Sequence, residues 1–204
     1  MTEKLLKGIS AGLMIAIGGC VFLACENRYV GAVMFSVGLL AICYKGYYLF
    51  TGKVGFLSEK HGKEEISIVL LCLLGNCIAT TVVGVLVRFA NPALQSAALT
   101  VCEAKLGQTL AQGFVRAIFC GVLMYMAVSI YRDQKSIVGV LFCVPVFILA
   151  GFEHSIADMF YFAASGIVSF RAFVYLWIIV LGNAVGGMLL PKLNSAGKKG
   201  ESCG

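Results

Sequence analysis

The stretch AGFEHSIADMF, residues 150–160, sets Glu153 beside His154 and follows them with Ser155 and Asp158 in apolar surroundings. Ionisable residues at membrane depth are costly and mark a working site or a helix end. Gly151 can take the left-handed backbone that closes a helix. Ser155 with Asp158 three positions on reads as a capping box opening the next one. Glu153 then has local backbone donors to accept from. His154 is the side chain here whose protonation can change near neutral pH; a buried, satisfied ring that only holds the loop fits the same residues. Earlier in the chain, LFTGKVG (49–55) carries Thr51, a hydroxyl able to donate or accept, and Gly52, which permits a bend. Thr51 precedes His154 by 103 positions (154 − 51), about half the chain.

The elements that must position these groups are membrane helices. Of 204 residues, 60% are hydrophobic and 13% charged. That is more apolar surface than a soluble domain can bury. Six stretches are long enough to cross a bilayer as helices: 5–25, 29–50, 66–89, 106–131, 136–163 and 170–191. They predict one all-α membrane domain over residues 1–192 with no soluble domain, lying in a lipid bilayer. Nothing alternates as a membrane barrel would. The net charge of +6 is not a nucleic-acid signal, because the basic residues sit between or beyond the apolar stretches. Lys4, Lys7, Lys60, Lys63, Arg132, Lys135, Lys192, Lys198 and Lys199 fall on one side, with Arg28, Arg88 and Arg171 on or near the other. By the positive-inside rule both termini are cytoplasmic. The small, polar residues of 193–204 read as a disordered cytoplasmic tail.

Other features carry less. The nine cysteines are dispersed without a CxxC and read as packing residues; Cys25 and Cys102 could meet near the outer face. Lys4, Lys7 and the run ending FLAC resemble a signal peptide, but the run also serves as a first spanning helix. The single NPA at 91–93 reads as a loop proline. Two distant histidines supply neither a metal site nor an acid–base constellation, so the chain reads as no enzyme and without a cofactor.

The chain also looks duplicated. LGN occurs at 74–76 and again at 181–183, an offset of 107 (181 − 74), in the third and sixth helices. The second and fifth helices are interrupted, at 49–55 and at 151–154. Three crossings per half turn the second half upside down, giving inverted repeats of about 5–90 and 106–191. Inverted repeats with one broken helix each point to a transport site at the bilayer midplane. Exposed backbone groups at such breaks are tolerable only against protein or a water-filled path.

With the breaks located, FSVGL (35–39), LFTG (49–52), GFEHSIADMF (151–160) and LGNAVGG (181–187) resemble the formate–nitrite transporter family of formate, nitrite and hydrosulfide channels, over about residues 5–192. The resemblance implies six helices in an aquaporin-like inverted repeat, helices two and five broken, and a homopentamer with one pore per protomer in a bacterial cytoplasmic membrane. It implies an outer constriction at Phe35 and Phe147, and an inner one at Leu39, Leu49 and Phe50. Between them lies the polar pair Thr51 and His154, with Lys105 in the outer vestibule and Asn183 near the path. Gly151, Gly52, Glu153 and Ser155 would shape the breaks. Two departures bear on the substrate: Gly121 stands where many members carry an asparagine beside the histidine, and Tyr48 where many carry an acid. Lys45 is unusual in its helix and reads as a lysine snorkelling to the cytoplasmic edge. The chain is shorter than typical members in its N-terminal segment and in the loop between helices five and six. The expected cargo is a small monovalent weak-acid anion moving with a proton; an aquaporin-like channel for neutral solutes is the alternative.

Overall fold

A computed structural model describes residues 1–59 and 62–201, the side chains of 197–201 aside. Lys60, His61 and residues 202–204 lie outside the described residues. The elements are α1 (Thr2–Ala24), α2 (Arg28–Lys45), the single turn α3 (Phe50–Lys53) running into a 3₁₀ turn (Val54–Ser58), α4 (Lys63–Ala90), α5 (Pro92–Leu106), α6 (Leu110–Gln134), α7 (Val138–Leu149), α8 (Ser155–Ser165) and α9 (Phe170–Glu201). Five of them (α1, α2, α4, α6 and α9) are long and apolar enough to cross a membrane; α7 is a shorter apolar helix. Among the described residues there is no strand.

The halves pack by the same rule. In α4, a Cβ on Gly75 would lie 2.7 Å from the Leu5 carbonyl and 2.8 Å from the Ile9 amide of α1. In α9, a Cβ on Gly182 would lie 2.8 Å from the Phe114 carbonyl of α6. Without side chains these two residues bring helix backbones into contact, the means by which membrane helices associate when lipid removes the hydrophobic drive. Leu5 and Phe114 are 109 apart (114 − 5), Gly75 and Gly182 107 apart (182 − 75), so the contacts are equivalents.

The interruptions match as well. Both α2 and α7 end in a Schellman closure. The Tyr47 amide donates to the Ile42 carbonyl at 3.0 Å, and the Phe152 amide to the Phe147 carbonyl at 2.9 Å. The left-handed residues between are Gly46 (φ +65°) and Gly151 (φ +70°). Adding 105 to 42, 46 and 47 gives 147, 151 and 152. At the first break the bend therefore belongs to Gly46 and not to Gly52. Gly52 sits inside α3 and packs on Val128, whose Cγ2 a Cβ there would meet at 2.9 Å.

Several expectations change. Pro92 is no loop residue, since it opens α5 at the first helical position. It follows Asn91, whose Oδ1 accepts from the Leu94 amide at 3.2 Å. α9 runs through Glu201 and takes in most of the tail that composition reads as disordered; a nucleated helix extends at little cost through Lys192, Leu193 and Ala196. Cys25 and Cys102 are both free, and Cys102 is fully buried. Lys45 ends α2 exposed, next to its carbonyl terminus.

Candidate functional site

The two breaks meet at the centre of the molecule. Thr51, in α3, and His154, just before α8, are both buried, and their Oγ1 and Nε2 atoms lie 2.9 Å apart. His154 is also the N-cap of α8: its Nδ1 accepts from the Ala157 amide at 3.1 Å. A ring nitrogen that accepts carries no hydrogen, so the other nitrogen holds the proton. The ring is thereby held in the neutral Nε2–H form, and Nε2–H donates to Thr51 Oγ1. The Thr51 hydroxyl hydrogen is then the one left to offer a solute. Because His154 fills the cap, Ser155 does not. It is the first residue of α8, and its Oγ has no partner among the described residues. Thr51 and His154 face each other without being repeat equivalents, since the 105-residue shift pairs Thr51 with Ile156 and Leu49 with His154.

Each break is clamped by the asparagine of an LGN. Asn76 Oδ1 accepts from the Phe50 amide at 2.9 Å, while its Nδ2 donates to the carbonyls of Tyr48 (3.0 Å) and Gly8 (2.8 Å). Asn183 Oδ1 accepts from the Ser155 amide at 2.8 Å, while its Nδ2 donates to the carbonyls of Glu153 and Ala117, both at 2.8 Å. The partners correspond one by one: 48 and 153, 50 and 155 (each +105), and 8 and 117 (+109). The first N–H and the last loop carbonyl of a broken helix have no partner within their own element, and these amides supply one in each half. Asn183 is thus a buried clamp with both donors committed to backbone carbonyls. Sequence reasoning misses its twin, Asn76, although the repeated LGN is the signal.

At Gly121 a Cβ would lie 2.8 Å from the Gly187 amide of α9, so the residue permits a close helix crossing. Its counterpart is Gly12 on α1 (121 − 12 = 109), where a Cβ would lie 2.7 Å from the Asn76 carbonyl oxygen.

Apolar rings flank the polar pair. Phe147 stands edge-on to Phe35 (centroids 6.0 Å, 90°) and stacks on the His154 ring (5.5 Å, 23°). Leu39, Leu49 and Phe50 are buried as well. A cavity of about 420 Å³ ends at Phe147 and His154, and another of about 560 Å³ ends at Leu49 and Gly52. Phe35, Leu39 and Phe50 are buried and border neither of these two cavities.

The cavities differ in charge at matching positions. In the smaller cavity Lys105 pairs with Glu153 and with Asp158, the latter at 2.9 Å, and Gln108 Nε2 donates to Glu153 at 2.9 Å. Lys105 is therefore no unpaired attractor, and Glu153 answers a lysine and not local backbone donors. In the larger cavity the equivalents of Glu153 and Asp158 (153 − 105, 158 − 105) are Tyr48 and Lys53. Lys53 Nζ lies 4.4 Å from the Tyr48 ring centroid, and Lys7 Nζ 5.2 Å from it, both within cation–π range. Among the described residues, no carboxylate is within ion-pair distance of Lys53, whereas Arg132 pairs with Glu59 at 3.0 Å and Asp133 at 2.7 Å.

The sequence model of the formate/nitrite transporter family matches residues 1–195. The uncharacterized transporter YwcJ of Bacillus subtilis is 26% identical over 91% of this chain and 84% of its own. The formate channel FocA of Haemophilus influenzae is 23% identical over 76% of this chain and 63% of its own length. A solved pentameric formate channel with formate bound superimposes with a TM-score of 0.78 at 24% identity, covering 94% of both chains; it shares the fold. With the family matched along residues 1–195 and five apolar helices of spanning length, the chain belongs to the formate/nitrite transporter family and is a multi-pass membrane channel or transporter of small anions.

Proposed function

We propose that the chain passes small monovalent weak-acid anions of the formate, nitrite or hydrosulfide kind, each together with a proton. The observation that carries this is the Thr51–His154 contact, one polar point in a closed apolar segment between two charged cavities. A bare anion meets a large desolvation cost between Phe35, Phe147, Leu39 and Leu49. Loss of water raises the pKa of a weak acid, so an entering anion gains its proton before the rings and crosses as the neutral acid. Thr51 offers it a hydroxyl at the midpoint, and His154 holds that hydroxyl in place. The cap on α8 supports a positioning role for the imidazole, not that of proton donor. The relatives named for formate support the substrate class, and the solved pentamer supports a homopentamer with one path per protomer. The distribution of basic residues supports a cytoplasmic position for the larger cavity and for both termini, in a bacterial inner membrane. Stopped-flow uptake in proteoliposomes tests the reading with formate, nitrite, hydrosulfide and glycerol on either side of neutral pH. Weak-acid flux that steepens in acid, with internal acidification and no glycerol flux, is the expected result. Glycerol flux without anion flux would replace it with a neutral-solute channel.

A further inference from the structure

Beside the outer cavity, the proposed path leaves a group of charges unused. Lys105 is the one ammonium shared by two carboxylates, Glu153 and Asp158. The side chains of Glu153 and Asp158 are 3% and 1% exposed, and both residues border the cavity. One ammonium neutralises one carboxylate, and a second full negative charge at that depth would stand uncompensated. The other cations bordering the cavity do not meet it. Arg28 donates to the carbonyls of Ile148 (3.1 Å) and Leu149 (3.4 Å), and Arg116 is exposed without a carboxylate partner among the described residues. Asp158 Oδ2 is buried and has no hydrogen-bond partner among the described residues. The titratable groups near Asp158 are Cys102 and Lys105 of α5, Cys120 of α6, Glu153 and His154 at the break, Tyr161 of α8 and Tyr175 of α9. With the His154 ring neutral as the cap of α8, Lys105 is the only cation among these seven.

The geometry points to a proton held jointly by Glu153 and Asp158 beside the cavity and given to the entering anion. This rests on the proposed proton-coupled passage and names the donor within it. The step balances simply. The carboxyl O–H bond breaks as an O–H bond forms on the anion, for formate yielding neutral formic acid. Glu153 and Asp158 are left as two carboxylates against Lys105, and a proton from the outer solution restores the carboxyl through the same cavity. Asp158 Oδ2 fits this role, since it is the one oxygen of the pair that neither Lys105 nor Gln108 occupies, and a proton can enter and leave by it. Asp158 borders the same cavity as Phe147 and His154, whereas Phe35 borders neither cavity, so the transfer precedes the Phe35–Phe147 contact.

Two measurements on the full chain in proteoliposomes test it. The first is infrared spectroscopy of the wild-type protein at neutral pH. The carbonyl stretch of a protonated carboxylic acid should be present and should vanish in Asp158→Asn. Its absence from the wild type would overturn the proposal without any variant having to fold. The second is formate uptake with internal pH recorded, against formamide, a neutral molecule of the same shape. Asp158→Asn should lower formate uptake above neutral pH by about a hundredfold, the range of a positioned acid. Its uptake should then follow the concentration of formic acid in bulk, with formamide permeation retained. Formate uptake and pH profile equal to wild type would overturn the assignment. Wild-type formate flux without acidification would instead overturn the proton-coupled reading on which it rests.

Discussion

Replacing Asn183 separates a clamp from a path-lining residue. Asn183→Ala removes one acceptor and two donors, leaving the Ser155 amide and the carbonyls of Ala117 and Glu153 buried without partners. Side-chain hydrogen bonds between membrane helices average about 0.6 kcal/mol each, and a buried polar group left unsatisfied costs about 1–3 kcal/mol. Three such losses amount to about 2–9 kcal/mol, the upper part applying if no water reaches the site. Asn76→Ala breaks the equivalent three bonds and should cost a similar amount. Asn183→Asp is more informative. It keeps the acceptor for Ser155 but turns the donor into an oxygen facing two carbonyl oxygens that now sit 2.8 Å away. It should be more destabilising than alanine at neutral pH and partly rescued in acid, where a protonated oxygen can donate again. Thermal unfolding in detergent, followed by formate and nitrite flux in liposomes, reads both effects. Asn183→Ala with unchanged unfolding and an altered formate-to-nitrite ratio would refute the clamp and return Asn183 to the path.

Thr51→Val keeps the shape but leaves His154 Nε2–H without its acceptor. Anion flux should fall about tenfold with assembly intact, and Thr51→Ser should restore it. Equal flux in both variants would refute the central pair. Gly75→Ala should cost about 1–3 kcal/mol, because its Cβ meets the α1 backbone. Among the described residues, nothing lies within 4 Å of a Cβ added to Gly46. Gly46→Ala should therefore cost only the left-handed penalty, roughly 1–2 kcal/mol; unfolding midpoints of the two variants check the order. Lys53→Gln removes a cation that has no carboxylate partner among the described residues of the larger cavity. It should slow anion exit toward the outside more than entry, read in vesicles of known orientation, and equal slowing in both directions would count against that role.

Much of this is legible in the residues because lipid leaves few choices. Apolar runs have to be helices, and Gly151, the Glu153–His154 pair and the two LGN motifs have to mean something unusual in the backbone. What the residues cannot supply is the pairing across elements. Ser155 and Asp158 have capping-box spacing, yet a cap depends on which acceptor reaches the first free amides, and His154 Nδ1 occupies that position. Asp158 is then drawn to Lys105, more than fifty positions earlier (158 − 105), which no local pattern encodes. The pairing of the vestibule residue Lys105 with Glu153 and Asp158 is hidden for the same reason. Gly52 reads as the bend because it is next to Thr51, whereas the left-handed residue is Gly46, six positions earlier (52 − 46). α5 escapes sequence reasoning because its composition is mild and its NPA opening looks like a turn. The asparagine clamps are visible only as a repeated triplet, whose purpose requires both breaks to be seen together.

The clamps lie wholly within their own halves: Asn76 binds residues 8, 48 and 50, and Asn183 binds 117, 153 and 155. What they grip is backbone, through carbonyls and amides that nearly every residue type provides. The side chains at the gripped positions are consequently unconstrained by the grip, which is how Tyr48 and Glu153 occupy equivalent places with opposite character. Such an arrangement lets each mouth of the pore drift in charge independently while the scaffold stays fixed. Selectivity and preferred direction are then adjustable one mouth at a time.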